Sequence, residues 1–332
     1  MLLTIIIPVY NAARYVKECI ESIMLANEKE EIEILLIDDG STDASLEICR
    51  EYECDNIKVF HQNNSGVSLT RNFGIQVAQG KYIMFVDADD RLSESWYNLV
   101  RPYLLGSEEI VYFTKGCSNP GKNKVLIFDA MFGWRKDLNL GNMFSPCSKI
   151  FLRRFLLNYN ITFDSQLIMG EDSIFNINTL IKATNYKFVS KSFYYYRINY
   201  LSCSKRMNPK FFESNLRYIN VLSEIFNNLD IIDKKRNYSY IGFSVSYSIY
   251  LFLSLIAGLN CGAKKKEYIN LFSDARFSGL IIKYRHYKPN NKIVWFVYEL
   301  ILNGQILFAL AFVSLIKHIK LVAKRNKQWE LI

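Results

Sequence analysis

Two short clusters of carboxylates carry most of the chemical information in this chain of 332 residues. Asp38-Asp39-Gly40-Ser41-Thr42-Asp43 and Asp87-Ala88-Asp89-Asp90 each follow directly on an apolar run, Ile34-Leu35-Leu36-Ile37 and Tyr82-Ile83-Met84-Phe85-Val86. A third run, Ile5-Ile6-Ile7-Pro8-Val9, leads into Tyr10-Asn11. In an open parallel sheet, ligands sit beyond the carboxyl ends of the strands, so these turns are expected to converge on one pocket. Grouped carboxylates repel one another and need a cation. A phosphate ester carried by a divalent metal is the economical ligand, because Mg2+ is held by one or two carboxylates plus substrate phosphates. Asp87 and Asp89, alternate residues leaving a strand, can direct one carboxylate to a sugar or ribose and the other to the metal. Asp39 can accept the N–H of a uracil imide. Arg71, with Asn64 and Ser65 close in sequence, can face a diphosphate, while Asp43 serves equally well as a helix cap.

The elements that would position these residues alternate. After the first strand, Asn11 reads as an N-cap, and Val16, Ile20, Ile23 and Met24 fall at helical spacing. A strand to Ile37, a helix bearing Leu46 and Ile48, a short strand at Val59-Phe60 and a helix opening at Ser65 precede the strand ending at Val86. Strand and helix in alternation predict an α/β doubly wound, mostly parallel sheet. Further on, Gly170-Glu171-Asp172 opens a helix marked by Ile174, Ile177, Leu180 and Ile181. Composition changes near residue 205, predicting a first domain over 1–204 and a mainly helical region over 205–332. The chain has no G-x-G-x-x-G and no P-loop, and none of its three histidines sits in a ligand cluster.

Charge is divided as sharply as structure. Residues 1–100 carry 8 Lys and Arg against 17 Asp and Glu, and residues 101–332 carry 33 against 15, so a front half of −9 is joined to a rear of +18. This favours an acidic, metal-binding front and a rear that meets an anionic surface. A nucleic-acid partner is disfavoured, since no recognisable module is present and the front half would repel phosphate. Seven cysteines, an odd number with no C-x-x-C pair, fit a reducing compartment. The N-terminal apolar run is cut by Pro8 and reads as a strand rather than a secretory signal.

The ordered set Ile6-Ile7-Pro8-Val9-Tyr10-Asn11, Asp38-Asp39-Gly40-Ser41-Thr42-Asp43, Asn64-Ser65-Gly66-Val67-Ser68-x-x-Arg71-Asn72 and Phe85-Val86-Asp87-Ala88-Asp89-Asp90 resembles the bacterial family 2 inverting glycosyltransferases, which have the GT-A fold. Pro146-Cys147-Ser148-Lys149, Gly170-Glu171-Asp172 and Tyr196-Arg197 followed by Ser202 are similar to that family's later landmarks, so the resemblance covers about residues 1–200. It implies a UDP-sugar donor with Asp39 on the uracil, Asp87 near the ribose or sugar, and Asp89 on Mn2+ or Mg2+. Pro8, Tyr10, Asn64, Arg71 and Ala88 would complete the donor site. Asp172 would occupy the position of the catalytic base, with Glu171 beside it as a second carboxylate able to point into the cleft. A single displacement with a base opposite the leaving group inverts the anomeric carbon, and no candidate nucleophile for a retaining route stands out.

Residues 240–259 are free of charge but rich in Ser and Tyr, and read as a buried helix. Residues 293–316 are long enough to span a bilayer, yet Glu299, Asn303, Gly304 and Gln305 interrupt them. Interfacial or hairpin-like association is the preferred reading, ahead of a core helix and of true spanning. Lys317, His318, Lys320, Lys324, Arg325 and Lys327 follow, and basic side chains behind an apolar helix are drawn to anionic lipid. The expectation is peripheral attachment to the cytoplasmic face of the membrane. The acceptor would be a saccharide, polyprenyl-diphosphate linked, for capsule, O-antigen or another surface polysaccharide. The rival is a catalytically inactive sugar-nucleotide-binding scaffold with the same fold, against which Asp89 and Asp172 argue.

Overall fold

The computed structural model describes residues 1–26, 30–135, 137–198, 210–259, 262–324 and 329–331. The expected boundary at 204/205, and with it Ser202, Cys203, Cys261, Arg325 and Lys327, lies outside the described residues, as do the side chains from Lys317 onward.

The apolar runs become strands, and the helical spacings become helices laid over them. β1 (Leu3–Val9), β2 (Ile32–Asp38), β3 (Ile57–His61) and β4 (Tyr82–Phe85) alternate with α1 (Val16–Met24), α2 (Ser45–Glu51) and α3 (Val67–Val77). β5 (Arg91–Leu92), α4 (Trp96–Leu104), β6 (Ile110–Phe113), α5 (Lys124–Met131), β7 (Lys149–Leu152), α6 (Arg153–Asn158), α7 (Glu171–Lys182), β8 (Tyr186–Val189) and β9 (Tyr194–Arg197) follow. Seven strands form one sheet in the order β3-β2-β1-β4-β7-β6-β8. β1 runs parallel to β2 and β4, while β7 is antiparallel to both β4 and β6. β1 and β2 are covered on both faces, which is why they read as continuous apolar runs. The register pairs Val9 with Asp38 and Ile6 with Phe85, so three strand ends finish at one rim.

Asn11 is not a helix cap. It takes a left-handed φ of 49° and α1 begins five residues later at Val16. Its Oδ1 instead accepts the Thr42 N–H at 2.8 Å, and its own N–H donates to Ser41 Oγ at 3.0 Å, which ties the turn after β1 to the turn after β2.

Behind the sheet domain lie α8 (Phe211–Asn227), α9 (Lys234–Ala257), α10 (Gly262–Asn270), α11 (Ala275–Lys283), α12 (Lys292–Leu302) and α13 (Ile306–Lys324). Leu222, Phe226 and Tyr240 of α8 and α9 join the core of the sheet domain, while Ile219, Val245, Val297 and Val313 belong to a second core among the helices. α9 is long and apolar enough to cross a membrane, and 67% of its apolar window is buried within the fold. β10 (Trp329–Leu331) pairs with β9, which also pairs with β5, forming a small second sheet beside the rim.

Candidate functional site

Arg71 is the link between the front and the back of the rim. It sits in α3, 3% exposed, with its guanidinium 5.2 Å from the centre of the Phe163 ring. Nη2 donates to Asp87 Oδ1 at 2.8 Å and Nη1 to Asp172 Oδ1 at 2.7 Å. One cation thereby holds the carboxylate leaving β4 and the carboxylate opening α7 on either side of itself. Where the sequence pattern directs Arg71 to a diphosphate, the structure commits both Nη groups to carboxylates. Burial pushes the Asp172 carboxyl up, and Asp87 adds to this, while Arg71 works to keep it ionised. Glu171 is pushed up to about 8 by burial first and by Asp172 second. Of the two neighbours, it is Asp172 that shares a guanidinium with Asp87.

The turn after β4 is stitched down by β9. Tyr194 Oη donates to Asp90 Oδ2 at 2.6 Å and accepts the Asp87 N–H at 3.1 Å; the Arg197 N–H donates to Asp90 Oδ1 at 2.7 Å. Arg197 Nε donates to the Asp89 carbonyl at 2.7 Å, its Nη2 reaches Glu18, and its guanidinium lies 4.8 Å from the Tyr15 ring centre. Asp90 is therefore the buried anchor of the turn, with both oxygens bonded. Asp87 and Asp89 remain partly exposed on either side of the buried Ala88. Tyr194 acquires its role from strand pairing across the chain, a relation with no local sequence signal, whereas Arg197 belongs to the Tyr196-Arg197 landmark.

At the other end of the rim, Asp39 is 4% exposed and faces the loop before α3. Its Oδ1 accepts Ser65 N–H at 2.8 Å, Gln62 Nε2 at 2.8 Å and Ser65 Oγ at 3.1 Å; Oδ2 accepts the Gly66 N–H at 2.9 Å. Oδ2 thus has one donor and retains acceptor capacity. Asp38 accepts from the Ser41 N–H and bonds His61 Nδ1 at 2.8 Å, while its Oδ1 is a buried acceptor without a partner among the described residues. Tyr10 is 45% exposed beyond the end of β1, Asn64 is exposed beside Gly40, and Pro8 pairs with Ile37 inside the sheet. Asp43 accepts the Ser45 N–H at 3.0 Å and the Ala13 N–H at 3.1 Å, so it combines a cap-like bond with a tie to the first loop.

A cleft of about 730 Å³ opens beside Asp87 and Asp90, walled by Thr114, Lys115, Asn142 and Tyr196. Lys149 lies beneath that wall, 2% exposed, and donates to the carbonyls of Asn142 at 3.2 Å, Met143 and Ser145. Burial brings its ammonium down to about 7. No group of three or more His, Cys, Asp or Glu that could hold an ion by itself occurs among the described residues. Asp89, a partly exposed carboxylate on the turn after β4, has the chemistry of a ligand to a hard cation that takes one or two carboxylates and completes its oxygen shell from a substrate.

The parallel strands ending at one rim, with β7 inserted antiparallel and the carboxylates of two strand turns and one helix start gathered there, define a GT-A domain. Residues 4–158, most of the sheet domain, match the model described as Glycosyl transferase family 2. The match takes in Asp39, Arg71, Asp87 and Asp89 and ends before Asp172. The minor teichoic acid biosynthesis protein GgaA of Bacillus subtilis (strain 168) is 32% identical over 276 residues, covering 75% of this chain and 59% of that protein. A poly(ribitol-phosphate) beta-glucosyltransferase of Bacillus spizizenii is 31% identical over 214 residues, covering 60% of this chain and 32% of the relative. The chain thus spans about three fifths of the first and a third of the second. In fold, S. aureus TarS 1-349 in complex with UDP-GlcNAc superposes with a TM-score of 0.65 at 20% identity, covering 96% of this chain and 92% of that one.

Proposed function

We propose that this chain transfers a sugar, with inversion, from a UDP-sugar to a hydroxyl of a saccharide acceptor in the synthesis of a surface polysaccharide. The observation that carries the reading is the Arg71 clip, which sets Asp172 opposite Asp87 across one guanidinium. An acceptor hydroxyl is far less acidic than a carboxyl, so its proton must be taken as the new bond forms. A carboxylate whose affinity for protons is raised by burial, with an arginine opposing that rise, suits that task. Asp39 would hold the uracil through Oδ2, with Pro8, Tyr10 and Asn64 around the base and ribose, and Asp87 and Ala88 toward the sugar. Asp89 would hold Mn2+ or Mg2+. A bound ion of that kind supplies neutralisation of the leaving diphosphate. Glu171, raised to about 8, serves as a proton-bearing neighbour rather than as the base.

The names of the relatives support a polymeric, polyol-phosphate or saccharide acceptor, and the fold shared with a UDP-GlcNAc complex supports a UDP-sugar donor. A polyprenyl-diphosphate-linked acceptor at the anionic cytoplasmic face of the membrane is the further part of the reading. It is supported by the +18 rear and by Leu307 and Phe308, 69% and 71% exposed on α13.

The test is UDP release from a panel of UDP-sugars with Mn2+ present. Asp89→Ala is expected to abolish metal-dependent turnover. Asp172→Asn should lower kcat by about 10²–10⁴-fold while sparing donor binding, the usual worth of a positioned base. Retained activity in both variants overturns the assignment, and UDP-sugar binding without any turnover in the unaltered chain points to the scaffold.

A further inference from the structure

The turn that presents Asp172 is held from two sides, and one of them belongs to the helical rear. On the sheet side, Asn72 of α3 brackets Phe163, accepting its N–H and donating to its carbonyl, both at 2.8 Å, and Ser68 Oγ donates to the Asp164 carbonyl at 3.3 Å. α3 is the helix that carries Arg71. On the other side lies α8. Ser214 Oγ accepts the N–H of Ile168 at 2.9 Å and of Met169 at 3.3 Å, and Arg217 places Nε and Nη2 on Asp164 Oδ2 at 3.1 and 2.9 Å. Tyr218 packs its ring against Gly170, where a Cβ would come within 2.6 Å of the ring and the backbone has a φ of +92°.

We propose that α8, through Ser214, Arg217 and Tyr218, is the positioning element of the base: it fixes the start of α7 so that Asp172 meets Arg71 and an incoming hydroxyl in line. None of the three is a catalytic residue, since each acts through the 164–173 segment. The inference rests on the reading of Asp172 as base in the function proposed above. Its physical content is that Asp172 opens a helix whose preceding residue, Gly170, has no side chain to lodge in its neighbours. The turn's place is therefore set by what α8 offers it: two N–H acceptors in one hydroxyl, one ion pair and one ring. Because α8 and α9 also share the second core, a shift of the helical rear is transmitted to the base without passing through the donor site.

The experiment uses the full chain with Arg217→Ala, which removes the ion pair to Asp164, and Ser214→Ala, with Ser214→Thr as the conservative rescue. Two readouts are taken: steady-state kinetics with the UDP-sugar that supports turnover, and amide hydrogen exchange across residues 168–173. A displacement of the order of 1 Å costs about a hundredfold in a positioned reaction, and partial loosening is expected to lower kcat in each variant by about tenfold while donor KM stays within about twofold. Exchange at Ile168 and Met169 should quicken by about tenfold in Ser214→Ala, as expected for loss of a hydrogen bond in a locally opening segment, and Ser214→Thr should restore both. Unchanged exchange overturns the clamp. Faster exchange with unchanged kcat overturns its role in positioning, as does a loss confined to donor KM. Absence of transfer by the unaltered chain from every UDP-sugar defeats the functional reading instead, because the exchange measurement needs no substrate.

Discussion

Asp90 shows how one carboxylate in a cluster can serve its neighbours by giving up contact with solvent. It is 1% exposed, and burial followed by the charge of Asp87 pushes its carboxyl up to about 8 despite bonds from Tyr194 and the Arg197 N–H. In the unfolded chain the same group titrates at about 3.9. Between pH 5 and 7 the folded chain therefore holds a proton that the unfolded chain has released. Stability from this source is fully present in acid and is lost as pH rises through that window towards 8. Glu171, also raised to about 8, acts with the same sign. Lys149, lowered to about 7, is protonated in both states through most of the window and acts only above it, in the opposite sense. The expected outcome, with divalent ions chelated, is a urea midpoint that falls from pH 5 to pH 7. Asp90→Asn should flatten that fall by about half, leaving the Glu171 part. A midpoint that is level or rises over this range in the unaltered chain would contradict the account of Asp90.

The turns work as a set because their backbones touch. Gly40, at φ +73°, brings the β2–α2 turn so close to the loop before α3 that a Cβ would stand 2.7 Å from the Asn64 nitrogen. Gly40→Ala meets two obstacles, a left-handed backbone worth about 1–2 kcal/mol and a clash that one of the two loops must relieve. Loss of about 2 kcal/mol or more in equilibrium denaturation is expected, with weaker UDP binding by calorimetry, since Asp39 is the adjacent residue. Unaltered stability would mean that the loops part freely. These contacts mark the limit of what the chain discloses locally. Strands β1, β2 and β4 are legible because β-branched and aromatic runs end abruptly in Asp or Pro-x-x-Asn, and Gly170-Glu171-Asp172 is legible as a helix start with acid in its first turn. Asn11 misleads: its composition says cap, while its side chain is claimed by Thr42, thirty-one residues away. Arg71 is visible as an arginine on a helix, but its two partners lie 16 and 101 residues further on. Nothing in Tyr194-Tyr195-Tyr196-Arg197 tells which ring turns inward, because pairing with β5 decides it. Local patterns give the strands and the carboxylates, and long-range pairing alone says which carboxylate is the buried anchor and which two share the Arg71 guanidinium.

The division of charge acquires a shape in the helical rear. The apolar run over 293–316 is two helices, because the chain reverses at residues 303–305: Asn303 donates to the Glu299 carbonyl, the Gln305 N–H to the Leu300 carbonyl, and Gly304 has a φ of +72°. α12, with 11 residues, is about 16 Å long at 1.5 Å per residue, too short to cross hydrocarbon about 30 Å thick. The pair packs inward through Val297, Ile301, Ala309 and Val313. It leaves Leu307, Phe308 and Leu315 outside, at 69%, 71% and 57% exposure, with Trp295 and Phe296 at 41% on the companion helix. An apolar outer face followed in sequence by Lys317, Lys320 and Lys324 has the composition of a helix that lies in the headgroup layer. Burying a Leu or Phe side chain is worth about 1.5–3 kcal/mol, and each basic residue near an anionic surface about 1 kcal/mol. The two contributions separate by experiment. Substituting Leu307 and Phe308 together by Ser should lower partitioning onto vesicles rich in anionic lipid by about a hundredfold or more, from roughly 3 kcal/mol of lost burial, with UDP binding unchanged. Raising salt to about 0.5 M should weaken the unaltered chain without abolishing its attachment, since screening acts on the lysines and not on the buried rings. Flotation that is indifferent to the two substitutions would assign the outer face of α13 to some other contact, and binding equal on neutral and anionic vesicles would remove the basic side chains of the helical rear from the explanation.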